Sequence, residues 1–235
     1  MPTQSQANRD PRQEPAYTVS EAAHYLQIPP ATLRSWTLGR PYPVHEGRRF
    51  FEPVIVVASR LPAMLSFVNL VEAHVLDAIR REYKVSLPAV RSAIAYLRSE
   101  VGSRHPLAEQ KFETDGAELF IRKLGELITV SKGGQKAMPE ILNAYLKRIE
   151  WDVQGLATKL YPFTRQRKLV QPKIIMIDAR VSFGRPVLTG TGIRTELIAE
   201  RYKAGESMDE LARDYGRGRA EIEEAVRCEL AIKAA

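Results

Sequence analysis

Two short amphipathic stretches follow one another between residues 17 and 39. In the first, three apolar residues recur at helical spacing and predict a short helix: Ala22, Ala23 and Leu26. Ser20 is the predicted N-cap, because a serine hydroxyl can accept from the free amides of a helix start. Pro29-Pro30 should end this helix, since the proline ring removes a backbone donor and restricts the preceding residue.

A second helix is predicted to begin within residues 30–32. It carries Leu33 and Trp36 on one side, and its other side holds Arg34, Ser35 and Thr37. Two short helices with a tight turn between them, the second presenting polar and cationic side chains, fit a helix-turn-helix whose second helix can enter a major groove. A helical hairpin with a solvated face would show the same spacing, so the spacing alone leaves both interpretations open.

The residues after this pair predict a β-hairpin. Residues 40–43 alternate with proline and indicate an extended path, and residues 44–51 predict two short strands around a turn at Glu46-Gly47. A hairpin directly after a helix-turn-helix is typical of a wing. Arg48 and Arg49 would lie near its tip, where cations contact phosphates or a minor groove. The alternative is a solvated basic turn.

This region resembles the N-terminal winged helix-turn-helix of MerR-type regulators, in which Thr-Leu-Arg and an aromatic residue mark the recognition helix. The resemblance is carried by Tyr17-Thr18-Val19-Ser20-Glu21-Ala22-Ala23, Leu26, Thr32-Leu33-Arg34-Ser35-Trp36 and the wing Gly47-Arg48-Arg49-Phe50-Phe51. It implies a double-stranded DNA partner contacted by Thr32, Arg34, Ser35, Arg40, Arg48 and Arg49. The chain lacks that family's long dimerisation coiled coil and metal-sensing cysteines, so the resemblance does not extend to effector sensing.

The middle of the chain predicts a second helical pair and a small α+β region. Residues 64–100 form two amphipathic patterns, with Ser86 as the second N-cap and Arg91 facing outward. This pair is either scaffold or a second helix-turn-helix. Residues 119–123 and 126–130 predict a small hairpin. A helix from Pro139 to about Gln154 should then bury Ile141, Leu142, Tyr145, Leu146 and Ile149.

The last part of the chain predicts a compact module behind a basic linker. Residues 159–173 hold five cations and no acid, and they are either a solvated linker or a phosphate contact. Residues 174–177 predict a strand, and a Gly-rich turn at 183–195 leads into three helices. These helices are predicted over 196–203, over 208–215 with Ser207 as N-cap, and from residue 220.

This module resembles the domain of unknown function DUF433, whose pattern is a strand, Gly-x-Pro-Val/Ile-x-x-Gly-Thr-x-Ile, a helix and Gly-x-Ser-x-x-Glu-Leu. The matching residues are Gly184-Arg185-Pro186-Val187, Gly190-Thr191-Gly192-Ile193, Gly205-Glu206-Ser207-Met208-Asp209-Glu210-Leu211 and Tyr215. Gly192 stands where the pattern usually has arginine. With the overall layout, the resemblance is to VapB-type antitoxins, and it implies a PIN-type ribonuclease toxin as partner. Candidate toxin contacts are Arg165, Arg167, Lys168, Arg185 and Arg194.

Charge and composition narrow the class of protein. The net charge of +7 is concentrated in residues 17–104, which contribute +4, and in residues 159–173, which contribute +5. This distribution favours a polyanionic partner such as DNA. The single cysteine, Cys228, cannot form an internal disulfide and suits a reducing cytoplasm. No apolar run reaches the roughly 18 residues of a membrane span, and the polar N-terminus predicts a disordered tail over 1–16.

No cofactor, metal or catalytic set is predicted. Gly184, Gly190 and Gly192 lack the following Lys-Ser/Thr of a P-loop, and four scattered histidines lack metal-site spacing: His24, His45, His74 and His105.

The expected fold is mainly α with small β elements. After the tail, it is expected to be divided into four regions: residues 17–104, 105–158, 159–173 and 174–235. The leading hypothesis is a homodimeric antitoxin that binds its own operator and a PIN-type ribonuclease. The alternatives are a stand-alone regulator that senses a ligand in the middle region, and an enzyme, against which the missing catalytic set argues.

Overall fold

Short helices and small antiparallel sheets alternate along the computed structural model, which describes residues 10–43, 45, 47–83, 86–112, 120, 122, 141–165 and 170–230. The expected fold class, mainly α with small β elements, is confirmed. One large apolar core joins residues 17–177, and a second, smaller core lies within the C-terminal module. None of the helices in the described ranges combines the length and the apolarity that crossing a membrane requires.

The helix-turn-helix begins two residues earlier than its sequence suggests. Strand β1 (Tyr17–Thr18) leads directly into α1 (Val19–Leu26), and the N-cap is Thr18, not Ser20. The Thr18 side chain accepts from the Glu21 amide at 3.1 Å, while the Glu21 carboxylate accepts from the Thr18 amide at 2.8 Å. This reciprocal capping box satisfies two amides that a serine at position 20 would leave free.

Helix α2 (Pro30–Leu38) starts on a proline, as predicted, because the first helical position needs no amide donor. Leu33 and Trp36 are buried in the core, 0% and 1% exposed. The placement of Thr37 on the polar side is wrong, since Thr37 is buried and its hydroxyl donates to the Leu33 carbonyl at 2.9 Å. The outward face of α2 therefore presents fewer polar side chains than the sequence suggests.

The wing is formed by β2 (Arg40–Pro43) and β3 (Arg48–Phe51), which pair antiparallel. The first strand, predicted after residue 43, is thus displaced toward the N-terminus, and the second strand begins directly after Gly47. Two prolines fit in β2 because this strand is an edge and needs no donor on its outer side. A separate sheet pairs β1 with β5 (Ala63–Leu65) and β5 with β4 (Ser59–Arg60).

Helix α3 (Phe67–Tyr83) lies at the centre of the large core and is buried on every side over residues 67–79. Its amphipathic pattern therefore does not produce a solvated face. The polar positions have internal partners instead: the Asn69 carbonyl oxygen accepts from the amides of Ala58 and Ser66, and Glu72 contacts His105 at 3.1 Å. This burial favours the scaffold interpretation of the second helical pair over a second helix-turn-helix.

Helix α4 (Leu87–Val101) completes that pair, and its predicted N-cap, Ser86, is confirmed by a hydrogen bond from the Ala89 amide. The strand predicted over 119–123 is wrong at Phe120 and Arg122, which are helical, and the strand predicted over 126–130 lies outside the described residues. Phe120 packs edge-on against Phe112 in the core at 5.9 Å between ring centroids. A short apolar run has the same appearance in a buried helix and in a strand.

The helix predicted from Pro139 is helical over 141–146, but its last part is strand β6 (Ile149–Trp151), paired with β7 (Ala157–Leu160). The Asp152 carboxylate causes this change, because it accepts from the amides of Gln154 and Leu156 and stabilises a turn. The apolar Ile149 continues the helical period, yet it is buried as part of the strand.

The described part of residues 159–173 is fixed against the core. Buried Arg148 donates to the carbonyls of Tyr161, Pro162 and Gln171 at 2.6, 3.0 and 2.8 Å. Burial lowers the pKa of the Arg148 guanidinium to about 10. A solvated linker therefore does not describe residues 159–165, while Arg167 and Lys168 lie outside the described residues.

The disordered tail expected over residues 1–16 does not extend as far as residue 16. Arg12 is only 4% exposed and forms salt bridges with Asp10 and Asp152, and its carbonyl accepts from the Val68 amide. Residues 10–16 are thus held to the core, and residues 1–9 lie outside the described part of the chain.

The C-terminal module contains the predicted strand and three helices. A two-stranded sheet of β8 (Ile175–Met176) and β9 (Val187–Leu188) precedes α5 (Thr195–Lys203), α6 (Met208–Tyr215) and α7 (Arg219–Leu230). Ser207 caps α6 with Glu210 in a capping box, as its sequence predicts.

A buried contact joins this module to the helix-turn-helix. The Tyr17 hydroxyl, in a fully buried side chain, donates to the Gly184 carbonyl at 2.8 Å. Arg185 forms a salt bridge with Glu21 on α1. Burial raises the pKa of the Tyr17 hydroxyl, so the group stays neutral and remains a donor. Helix α1 is consequently held in place by residues more than 160 positions away in the chain.

We expect Tyr17→Phe to lower the free energy of unfolding by about 1–2 kcal/mol, because a buried carbonyl loses its donor. Urea denaturation followed by circular dichroism measures this loss. Tyr42→Phe is the matched control, since the Tyr42 hydroxyl makes no hydrogen bond within the described ranges. Equal stability of the two variants would contradict the importance of this contact.

Candidate nucleic-acid interface

The outward face of α2 carries the residues predicted to read DNA. Arg34 is exposed, whereas Thr32 and Ser35 are half-buried. The Ser35 hydroxyl donates to the Thr32 carbonyl at 2.9 Å, which leaves its lone pairs free to accept from a ligand. Because Leu33 and Trp36 fix the opposite side of the helix in the core, this face keeps a constant orientation.

The wing brings three further predicted cations together on one hairpin. Arg48 and Arg49 lie opposite Pro43 and Tyr42, next to the turn, and Arg40 lies opposite Phe51 at the base. All three arginines are exposed. Phe50 is 52% exposed, so the hairpin also presents an aromatic ring beside its cations. Such a combination suits contacts to phosphate and sugar.

Gly39 sets the direction in which the wing leaves α2. Its φ of 75° and ψ of −175° lie in a region that only glycine adopts readily. A Cβ atom at this position would clash with the Phe51 carbonyl oxygen and approach the Phe50 ring to 2.7 Å. The close approach of the chain at residue 39 to β3 is therefore possible only without a side chain.

Helix α4 supports the base of the wing. The Arg91 guanidinium lies over the Phe51 ring at 4.4 Å from its centroid and donates to the Glu52 carbonyl. Arg91 was expected to face outward from a possible second helix-turn-helix; it instead connects the scaffold pair to the wing. Sequence reasoning missed this role and that of Gly39, although a glycine directly after a helix was the available signal.

The cations of the N-terminal unit differ from those of the C-terminal module in their partners. Within the described ranges, Arg34, Arg40, Arg48 and Arg49 make no salt bridge and no side-chain hydrogen bond. In the C-terminal module, by contrast, most arginines are paired with carboxylates on the same module: Arg194 with Glu196, Arg201 with Glu206 and Asp214, Arg217 with Glu221, Arg219 with Asp209 and Glu223, and Arg227 with Glu224. Arg180 and Arg213 of this module make no salt bridge within the described ranges. Unpaired positive charge is what a phosphate backbone attracts.

The predicted toxin contacts that fall in the described ranges are engaged within the chain. Arg165 pairs with Glu224 at 2.7 Å, Arg185 with Glu21, and Arg194 with Glu196. Arg185 and Arg194 line one cleft of about 400 Å³ between α1 and the C-terminal module, together with His24, Glu21, Glu196 and Glu229. Arg165 lies elsewhere, against α7, so these residues do not form a single surface.

Glu224 organises the contact between residues 159–165 and α7. It is 1% exposed and accepts from Arg165, Thr164 and Arg227. Burial alone would raise the pKa of Glu224, but these donors outweigh burial and lower it below its ordinary value of 4.5. The carboxylate therefore stays charged at neutral pH and forms salt bridges with two cations, Arg165 and Arg227.

Metal-binding and nucleophilic chemistry find no support in the side-chain placement. No cluster of three or more histidines, cysteines or carboxylates suited to a metal ion occurs among the residues that the structure describes. Cys228 is buried in the C-terminal core, and burial raises the pKa of its thiol, so the sulfur is protonated.

A winged helix-turn-helix with unpaired cations, joined to a helical module in which most arginines are paired, is the arrangement of a DNA-binding regulator. The comparisons with known proteins agree. Residues 15–94 match the family model described as "Putative DNA-binding HTH domain", and residues 175–227 match "Protein of unknown function (DUF433)".

Individual relatives indicate the family more narrowly than the two domain models do. The chain is 32% identical over 225 residues to "Putative antitoxin VapB45" of Mycobacterium tuberculosis, covering 86% of this chain and 88% of that protein. It is 24% identical over 217 residues to the uncharacterised protein Rv2308 of the same organism, covering 89% and 88%. The crystal structure of Rv2018 from Mycobacterium tuberculosis has a TM-score of 0.65 and 27% identity, covering 90% of this chain and 97% of that one.

The chain belongs to the VapB45 family of antitoxins. The resemblances to a VapB-type antitoxin, to a MerR-like winged helix-turn-helix and to DUF433 are thereby confirmed. An antitoxin with a DNA-binding helix-turn-helix is the function that follows.

We expect Gly39→Ala to destabilise the protein by about 3 kcal/mol, because it combines an unfavourable backbone conformation with a clash against β3. Gly47→Ala is the matched control. Gly47 also has a positive φ, 96°, but no atom lies within 4 Å of the added Cβ, so a cost of about 1 kcal/mol is expected. Thermal and urea unfolding measure both. Equal losses would show that the close approach of Gly39 to the wing has no energetic effect.

Proposed function

We propose that this chain is the antitoxin of a type II toxin–antitoxin module, that it inhibits a PIN-type ribonuclease, and that as a homodimer it represses its own operon. The observation that carries the DNA part is the set of unpaired, exposed arginines on α2 and the wing: Arg34, Arg40, Arg48 and Arg49. The toxin part is supported by the relationship to a protein named as an antitoxin.

The residues of α2 and the wing are assigned different roles in operator binding. Arg34, with Thr32 and Ser35, faces outward from α2 and would contact base edges in the major groove, where a bidentate arginine discriminates guanine. Arg48 and Arg49 at the wing tip and Arg40 at its base would contact phosphates and hold the register. Recognition and positioning are thus divided between helix and hairpin.

The C-terminal module is assigned to the toxin and not to the operator. Its three helices resemble a helix-turn-helix in outline, but most of the arginines on these helices are paired with carboxylates of the same module. Displacing those carboxylates in favour of phosphates would cost much of the electrostatic gain. A homodimer is proposed because helix-turn-helix proteins bind paired half-sites about one DNA turn apart.

We expect Arg34→Ala to weaken binding to the upstream operator about 10- to 100-fold, because one base contact is lost. Arg48→Ala should mainly reduce the slope of log affinity against log salt, by about 0.9 for one phosphate. Fluorescence anisotropy over a series of salt concentrations measures both quantities.

Arg219→Ala is the control for this pair of variants. Arg219 is an exposed arginine that is already paired with Asp209 at 2.7 Å and with Glu223 at 2.9 Å, so neither affinity nor salt slope should change. Unchanged affinity and slope in both Arg34→Ala and Arg48→Ala would contradict the N-terminal DNA surface.

The toxin proposal predicts that the ribonuclease encoded beside this chain copurifies with it and loses RNA cleavage activity in the complex. Co-expression, affinity purification and an RNA cleavage assay before and after removal of this chain test both points. If the neighbouring ribonuclease neither binds nor loses activity, the antitoxin–PIN proposal fails and a stand-alone regulator is the better description.

A further inference from the structure

The loop before β9 presents a phenylalanine to solvent in an unfavourable backbone conformation. Ser182, Phe183 and Gly184 have φ values of 48°, 56° and 76°, so three consecutive residues are left-handed. Phe183 is 95% exposed. Positive φ is uncommon for residues other than glycine, and it is rarer still for a bulky side chain. The other positive-φ residue of this kind among the described residues, Gln27, is explained by the end of α1.

The loop is held in this conformation from several directions. The Gly184 carbonyl accepts from the Tyr17 hydroxyl at 2.8 Å, and a Cβ on Gly184 would lie 3.2 Å from the Tyr17 ring carbon Cζ. The Ser182 hydroxyl donates to the Gly192 carbonyl at 3.1 Å, and the Gly184 amide donates to the Val181 carbonyl at 2.9 Å. The residues on both sides of Phe183 are therefore held by hydrogen bonds to other parts of the chain.

Strained residues that the surrounding structure holds in place cluster at binding and catalytic sites. We interpret this site as a binding site, because it presents one large exposed ring. Aromatic side chains are enriched among the residues that dominate protein–protein binding energy, where they fill desolvated pockets of the partner. Because the backbone that carries the ring is already held in place, its ordering costs little conformational entropy on binding.

A positively charged residue, Arg180, lies three positions before Phe183 in the chain. Arg180 is exposed and makes no salt bridge and no side-chain hydrogen bond within the described ranges, and its charge influences Asp10 only through space. In this it differs from Arg185 and Arg194, which are paired within the chain. The surface therefore suits a partner with an apolar pocket beside acidic residues.

We propose that Phe183 is the anchor through which the C-terminal module holds the toxin, with its ring in an apolar pocket and Arg180 against an acidic rim. This inference rests on the proposed function. The acidic rim agrees with a ribonuclease that uses carboxylates to hold a metal ion. A DNA partner fits less well, since Arg185 and Arg194 are paired within the chain and leave Arg180 as a single cation without a salt bridge near this loop. A second copy fits less well too, because a two-fold axis at Phe183 would bring Arg180 near its own copy.

The experiment compares Phe183→Asn with Val153→Asn in the full-length chain. Asparagine tolerates left-handed φ, so the first substitution removes the ring and keeps the loop conformation. Val153 is a fully exposed apolar residue in the β6–β7 turn and serves as the matched control. The measured quantities are the dissociation constant for the neighbouring ribonuclease, the operator affinity and the mass by light scattering.

We expect Phe183→Asn to weaken ribonuclease binding about 30-fold or more, as loss of a central aromatic anchor does. Val153→Asn should change it less than about twofold, and Phe183→Tyr should bind nearly as tightly as the unaltered chain, because the ring is kept. Operator affinity and mass should be the same in all variants.

The outcomes separate this inference from the proposed function. If the unaltered chain does not bind the ribonuclease, the proposed function fails and the anchor fails with it. If the unaltered chain binds and Phe183→Asn binds as tightly, only the anchor is overturned. A lower mass for Phe183→Asn would show that the loop joins two copies, and a loss of operator affinity would show that it contacts DNA; either result overturns the assignment to the toxin.

Discussion

The hydrogen bond from Tyr17 to Gly184 is the constraint on which the arrangement of the two binding modules depends. Tyr17 begins the strand that leads into α1, and Gly184 ends the turn that presents Phe183. The bond is buried, so breaking it without a replacement is unfavourable. The same contact therefore fixes the first helix of the DNA-binding unit and the backbone of the loop that we assign to the toxin.

Charge pairing gives the two modules different chemistry although both contain helices joined by tight turns. Arg34 and the wing arginines make no ion pair within the described ranges, and they lie on elements that the core holds rigid. The arginines of the C-terminal module, such as Arg201 and Arg219, are matched by nearby carboxylates. The outline of the helices is compatible with DNA binding by both modules, and the partners of the cations are the reason why we propose it for the N-terminal one.

The sequence predicted several features that depend on neighbouring residues. It missed two local ones, the Thr18 cap and the turn at Asp152, and it missed contacts between distant residues. Ser86 and Ser207 were recognised as caps because a cap and its helix are adjacent in the chain. Ile149 was assigned to a helix because its period continued, whereas the turn at Asp152 made it a strand. The pairing of Arg165 with Glu224 joins residues 59 positions apart and leaves no local pattern. The candidate DNA surface was accessible from sequence, and the loop at Phe183 was not.

Hydrogen–deuterium exchange of the full-length chain with its operator tests most directly whether α2 and the wing, and not the C-terminal module, contact the DNA. The account predicts slower amide exchange in α2 and the wing, residues 30–51, when operator DNA is added, with exchange in residues 195–230 unchanged. Slower exchange confined to residues 195–230, with α2 and the wing unaffected, would contradict it.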